Sequence, residues 1–416
     1  MKTNRRILVT SIVGTVLLFL VSACGSAQPT LDAKEATPEE EEAASTAEEA
    51  ASTAEECVIR LGSVRPLTGK GASFGSALAE GLYMGFDAVN AQGGILGCQV
   101  ELVAYDSQSD PAIAATLTER LITQDQVVLV IGSSISTESL AMMEVTENAQ
   151  VPIFIPSAAS AKITSQGYEW VWRQSVIDSS AAALFTEYIV NDLGWKRVGA
   201  LYENTDYGKL PIENIVGPGL AAGGSELVIA EAFNPGDVDV SGQLLRIVDA
   251  GVDGIIYWGH ENEASLLVRD NQRLGFDLPL AGNTGIVYPA FLELLSVEDQ
   301  ANTELIAVSQ FVWTTDDPEQ LVWIEEFKTR FGHDPNVTSM DGYDAAFVLQ
   351  KAFEAAGSTD NLALQQAISA VEYTGVGGFI SFDETGQAVR SLVIVKLTSK
   401  DGKGFEIIKE VEPGEY

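Results

Sequence analysis

From Cys57 onward, short apolar runs rich in β-branched residues alternate with longer stretches whose apolar positions recur every three or four residues. The runs at 58–64, 100–105, 127–131 and 153–155 read as buried strands, and 75–90 and 111–123 between them read as amphipathic helices. Such alternation predicts βαβ units around a parallel sheet. A second series follows, with strands at 197–201, 227–230, 254–257 and 279–281. The changeover lies in WRQSVIDSS, 172–180, where a strand runs straight into the second series. The C-terminal third predicts helices at 318–331, 341–356 and 361–371 and strands at 388–396 and 405–409. Helices without intervening strands return to cover an existing sheet. The pattern therefore predicts an α/β fold: two doubly wound parallel-sheet lobes joined by a multi-strand hinge. Lobe 1 takes 57–175 with about 309–376, and lobe 2 takes 176–308 with about 377–416. Several crossings suit hinged closure over a ligand.

Ahead of this body the pattern changes. Lys2, Arg5 and Arg6 precede an apolar run at 7–21 that ends in VSAC, with small residues before Cys24. A basic start, an apolar core and a small-residue cleavage site read as a signal peptide, 1–23. Its ending in cysteine resembles the bacterial lipobox, which implies lipidation of Cys24 and a lipid anchor to the membrane. A transmembrane anchor is the alternative, although the run is short for a span. Either reading puts the body outside the cytoplasm. Residues 24–56 form an acidic low-complexity tether with no aromatic residue, carrying AASTAEE at 43–49 and again at 50–56. With nothing to bury, it reads as a solvated, self-repelling spacer.

Composition narrows the partners. A formal net charge of −35 excludes a basic patch for nucleic acid or anionic membrane. With Cys24 assigned to lipid, Cys57 and Cys98 remain, each just ahead of a predicted strand. If those strands are parallel neighbours, both cysteines lie at one end of the sheet and a disulfide fits; two separate buried thiols are the alternative.

In open parallel sheets, ligands bind beyond the carboxyl ends of the strands. Here those tips are RPLTGKGASFG, GSSISTES and PSAAS in the first series, and YENTDYG, WGHENEA and AGNTG in the second. They are rich in hydroxyls, glycine and aromatics. Free N–H groups at a helix start, with small hydroxyls beside them, can cradle a carboxylate. Any one hydroxyl, Ser136 or Thr137 included, serves equally as a helix N-cap. Six such tips together point to a small-solute site.

Enzyme schemes find little to work with. His260 and His333 are the two histidines, and neither HExxH nor CxxC occurs. His260 with Glu261 and Glu263 offers at most a poor metal site. Gly69, Gly71 and Gly75 with Asp106 imitate a dinucleotide fingerprint, but the spacing is one residue too long and the glycines sit too far past the strand. No cofactor, no metal and no catalytic residue is expected.

In this order, RPLTGKGASFG, GLYMGFDAVNAQGGILG, VVLVIGSSIS, VPIFIPSAASAKIT, WVWRQSVIDSS, LYENTDYG and DGYDAAF resemble one family. They are similar to the extracytoplasmic solute-binding proteins of ABC importers, of the branched-chain amino-acid (Leu/Ile/Val)-binding type. The resemblance runs from about Val58 to near the C-terminus and implies the type I periplasmic-binding-protein fold. It implies that Ser136 and the backbone at Ser157 and Ala158 hold a ligand α-carboxylate, that Phe74 packs on the ligand, and that Tyr207 closes over it. It also implies a monomer that captures a small carboxylate solute, a branched-chain or related amino acid, and presents it to an ABC permease in the membrane. A ligand-sensing protein for amides or aromatic acids that signals to a partner is the alternative. Three departures stand out. Ala159 replaces a hydroxyl, Thr284 stands where the ammonium-binding acid belongs, and WGHENEA runs one residue short, offering His260 and Glu261. Glu261 is the candidate replacement for the lost acid, or else a solvated glutamate at a helix start.

Overall fold

The computed structural model describes residues 57–398 and 404–412, so the predicted signal peptide, Cys24 and the tether lie outside the described residues. The first lobe holds β1 (Val58–Arg65), β2 (Gln99–Asp106), β3 (Leu129–Ile131), β4 (Ile153–Ile155) and β5 (Val171–Arg173). They pair in parallel in the order β2-β1-β3-β4-β5. The three-residue strands LVI, IFI and VWR are buried throughout, as strands covered on both faces should be. Helix Pro111–Thr123 starts where the Asp110 carboxylate accepts the N–H groups of Ala112 and Ile113, with proline in its first turn.

The second lobe continues with β6 (Arg197–Glu203), β7 (Glu226–Phe233), β8 (Gly254–Trp258), β9 (Leu280–Gly282) and β10 (Leu305–Ser309). The chain then forms a small antiparallel sheet of β11 (Tyr373–Gly375), β12 (Gly378–Phe382) and β13 (Ala388–Arg390). It ends with β14 (Leu392–Thr398) and β15 (Gly404–Val411), giving the order β15-β14-β10-β9-β8-β6-β7. β14 runs antiparallel to both β10 and β15, so the second sheet is mixed, unlike the all-parallel sheet expected. An antiparallel edge needs no covering crossover helix, which is how the chain finishes the sheet without another βαβ unit.

Two lobe boundaries fall later than the sequence pattern placed them. The apolar run at 388–396 is two strands in different sheets, separated at Ser391. Before that point, Ile380 and Ala388 are buried in the first lobe's core, and Phe382 packs edge-on against Phe154 at 5.9 Å. The segment before β14 therefore belongs to lobe 1. Likewise Trp313 still packs on Phe405 of β15, whereas Arg330 pairs with Asp87 at 2.5 Å across helix Pro318–Phe331. The second crossing thus lies between Thr314 and Pro318.

Buried polar groups tie the crossings together. Arg173 donates to the Gln387 side-chain oxygen and to the Ser160 carbonyl at 2.6 Å, while Gln387 donates to the Ser175 carbonyl at 2.9 Å. Arg390 pairs with Asp341 at 2.9 Å, and Gln174 donates to the Asp341 carbonyl at 2.8 Å. Helix Ala72–Ala91 lies so close to helix Val337–Ala356 that a Cβ on Gly81 would come 1.9 Å from the Ser339 carbonyl oxygen. That close approach fixes the helix whose first turn carries Phe74. Cys57 and Cys98 form a disulfide at the common end of β1 and β2, where Val58 faces Gln99. With the two cysteines 41 positions apart, the bridge contributes roughly 3–4 kcal/mol.

Candidate functional site: the interlobe cavity

A cavity of about 160 Å³ lies beyond the carboxyl ends of strands from both sheets. The first lobe supplies its wall from the tips of β3 and β4. Helix Ser136–Ala149 follows β3, and its N-cap residue is Ile135, which cannot cap. Ser136 and Thr137 are therefore not caps, contrary to that sequence alternative, and the first-turn N–H groups carry no side-chain partner. Ser136 Oγ instead accepts the Ser160 N–H at 3.2 Å and ties the two tips together. Ser157 Oγ donates to Thr338 Oγ1 at 3.3 Å, and Thr338 shares a 2.8 Å hydrogen bond with Tyr288 Oη. Ser134 lines the cavity too, and its buried hydroxyl has no partner.

The opposite wall is aromatic. Tyr207, in the first turn of helix Asp206–Pro211, stacks on His260 with centroids 4.8 Å apart. Phe74 meets His260 edge-on at 4.8 Å and Tyr288 at 5.5 Å. Asn283 donates to Tyr207 Oη, and Thr284 opens the 3-10 turn Thr284–Ile286 at the cavity edge. His260 Nδ1 lies 2.7 Å from Glu203 Oε2, while Thr205 donates to Glu203 Oε1 at 2.8 Å. Burial opposes both charges in that pair. The mutual attraction still holds Glu203 below the usual carboxylate range and lifts His260 above the usual imidazole value.

Five of the seven expected ligand residues, Phe74, Ser136, Ser157, Tyr207 and Thr284, meet at this cavity. Two do not. Ala158 is buried in the first lobe's core, and its carbonyl accepts from Ser175 Oγ at 3.0 Å; its neighbour Ala159 lines the cavity instead. Glu261 sits one helical position past His260, buried behind the wall rather than at it, with Oε2 unpartnered. It is neither the cavity's acid nor a solvated glutamate.

One acid at the cavity is not singled out by the sequence pattern. Asp178 opens helix Asp178–Tyr188 and lines the cavity, with 8% of its surface exposed and Oδ2 lacking any hydrogen bond. Burial pushes its carboxyl well above the usual range, against the pull of Arg173 and His260. The indole of Trp258 lowers it only a little, since its Nε1 makes no well-formed hydrogen bond. The signal was present in WRQSVIDSS, where an acid precedes two serines at a helix start, but the segment reads equally as a lobe crossing. Asp178, Glu203 and Asp206 all reach the cavity, and no lysine or arginine lines it.

Two other sequence features resolve into structure. Asp106 accepts the N–H groups of Leu67 and Thr68 and the Thr68 hydroxyl, stapling the loop that imitates a dinucleotide fingerprint. GASFG at 71–75 spells G-x-S-x-G, but Ser73 lies exposed on a helix while His260 and His333 bond to Glu203 and Glu80. Among the described residues no cluster of acids, histidines and cysteines could hold a metal ion.

Across the cleft, Lys162 of the first lobe pairs with Asp206 of the second at 2.5 Å. With Phe74 on His260, this makes the arrangement a closed one. A two-lobed α/β body with a small polar–aromatic cavity shut between its lobes matches a family model described as periplasmic binding protein, over residues 58–403. The chain belongs to that family. In sequence this binding protein is similar to the leucine-, isoleucine-, valine-, threonine- and alanine-binding protein of Pseudomonas aeruginosa, 26% identical over 328 residues, 79% of this chain and 86% of the relative. In structure it is similar to the branched-chain amino acid transporter substrate binding protein LivJ of Streptococcus pneumoniae, solved with isoleucine. That match has a TM-score of 0.76 at 25% identity and covers 86% of this chain and all of the other. An ABC-transporter solute-binding protein of R. palustris, solved with benzoate, reaches the same TM-score at 20% identity, covering 86% and 97%, a likeness of fold alone. The binding protein thus belongs with extracytoplasmic solute-binding proteins, and the relatives named here are binding proteins rather than enzymes.

Proposed function

We propose that the cleft captures a small α-amino acid and that lobe closure presents it to a membrane permease. The observation that carries this reading is Asp178, a buried carboxylate with an unpartnered oxygen at a cavity wall that bears no lysine or arginine and whose one histidine is held by Glu203. A lone anion would meet acids without compensation, whereas a zwitterion supplies the missing cation. The ligand carboxylate is assigned to the uncapped helix start, with Ser134, Ser136 and Ser157 around it. The ammonium is assigned to Asp178, replacing the acid missing at Thr284. The ligand side chain fits against Phe74, Tyr207 and Tyr288.

Calorimetry with leucine, isoleucine and valine, on the protein and on Asp178→Asn, tests the reading. Binding lost in the variant supports it; unchanged affinity sinks the ammonium assignment. An aromatic acid without an ammonium is the second reading, favoured by Thr284 and the aromatic wall. It requires Asp178 to stay protonated, and it predicts that Asp178→Asn binds as well as the native protein. On either reading, Cys24 is assigned to a lipid anchor, residues 25–56 to the spacer, and the body to a monomer. Mass spectrometry of the mature N-terminus tests the lipid.

A further inference from the structure

Beside the main cavity lies a second one of about 170 Å³, also between the lobes. Ser160, Asp178 and Asp206 line both, so these three residues form the shared boundary of two adjoining spaces. The side chamber has two kinds of surface. Leu210, Pro211 and Ile215 give it an apolar flank, and Ser179 and Asn214 add polar acceptors.

The electrostatics of the chamber are one-sided. Of its two acids, Asp206 is paired with Lys162 at 2.5 Å, whereas Asp178 feels Arg173 and His260 only at a distance and its Oδ2 has no hydrogen-bond partner. Arg173, the buried cation behind Asp178, spends its N–H groups on Gln387, the Ser160 carbonyl and Thr164. A carboxylate has two oxygens, so Asp178 can face an α-ammonium on one side and a second cation on the other. An apolar flank beside acceptors suits a methylene stem carrying a charged head.

We infer that the two spaces together hold a linear α-amino acid whose far end is a cation, its stem along Leu210 and Ile215 and its head between Asp178 and Asp206. This rests on the α-amino-acid reading above and narrows it. A branched aliphatic ligand would fill the main cavity and leave the side chamber to water.

Calorimetry with lysine, norleucine and leucine tests the inference, because norleucine keeps most of the lysine stem and lacks the terminal amine. Lysine is expected to bind at least tenfold more tightly than norleucine. Asn214→Trp and Ala161→Leu change residues that line only the side chamber. Each is expected to weaken lysine tenfold or more while leaving leucine affinity and the melting temperature within error. Leucine or norleucine binding as well as lysine, or chamber variants that treat all three alike, would overturn the inference and leave the α-amino-acid reading standing. If no α-amino acid binds and a carboxylic acid lacking an ammonium does, both fall.

Discussion

The ring of Phe74 meets the imidazole of His260 edge-on at 4.8 Å, joining the first turn of a lobe 1 helix to the head of a lobe 2 helix. His260 is also stacked on Tyr207 and held by Glu203, so the contact joins a rigid aromatic cluster rather than a loose side chain. Closure is favoured only by interactions that the open form lacks, and this is one of them. Phe74→Ala is therefore expected to speed ligand release by about threefold to tenfold, from an aromatic pair contributing roughly 0.5–1.5 kcal/mol. Stopped-flow fluorescence measures the rate, and an unchanged rate would mean that the pair does not stabilise the closed form.

Asp178→Asn should affect stability and binding in opposite directions. The native carboxyl is raised by burial, so ionising it at neutral pH opposes folding. The unliganded variant is expected to melt higher at pH 7 and to bind an ammonium-bearing ligand at least tenfold more weakly. A lower melting point, by calorimetry, would show that the carboxylate is stabilised by something other than ligand.

Binding should also release a proton. A ligand ammonium beside Asp178 favours the ionised form, so the raised carboxyl gives up its proton on binding. Affinity should then fall as pH falls through the carboxyl's raised range. Titrations in two buffers of different ionisation enthalpy read the proton count directly. Zero net release at every pH across that raised range would contradict the pairing.

Ser136→Ala is expected to weaken binding by about tenfold or more, since a lost hydrogen bond to a charged group costs roughly 1.5–3 kcal/mol. Ser134→Ala should behave similarly, because that hydroxyl has no other partner. Affinities matching the native protein in both variants would move the ligand carboxylate elsewhere.

At the hinge, Arg390→Met should destabilise the protein by roughly 3–5 kcal/mol, the usual cost of removing one partner of a buried ion pair. Burial pushes Asp341 and Asp344 up to about 6, with Arg390 opposing the shift in each. Without the arginine their carboxyls rise further, and protonation then relieves the loss. The penalty should shrink as pH drops from 8 to 5, as read by denaturant unfolding; a penalty independent of pH would rule out this coupling.

Elements with strong local signals were legible in the sequence. Helix Pro111–Thr123 carries its own cap and proline, and β4 is a bare apolar run between turn residues. The split at Ser391 was not legible, because apolar residues on both sides continue one β pattern and only tertiary packing sends them to different sheets. The cavity followed the same rule. Strand tips identified the loops that line it, so Phe74, Ser136 and Tyr207 were reachable. Which of two neighbours on a helix start faces the cavity depends on the helix's rotation, about 100° per residue. That rotation puts His260 on the wall and Glu261 behind it, and nothing in WGHENEA encodes it.

Three backbone connections link the lobes, and Arg173, Gln387, Arg390 and Asp341 bind the first and third of them together. A panel hung from one pin can wobble, whereas one hung from several can only swing. Opening is thereby reduced to a single coordinate, and the Phe74–His260, Lys162–Asp206 and Thr338–Tyr288 contacts all separate along it. Ligand, latch and salt bridge then act as weights on one balance, so a change at any of them should tilt the same open–closed equilibrium.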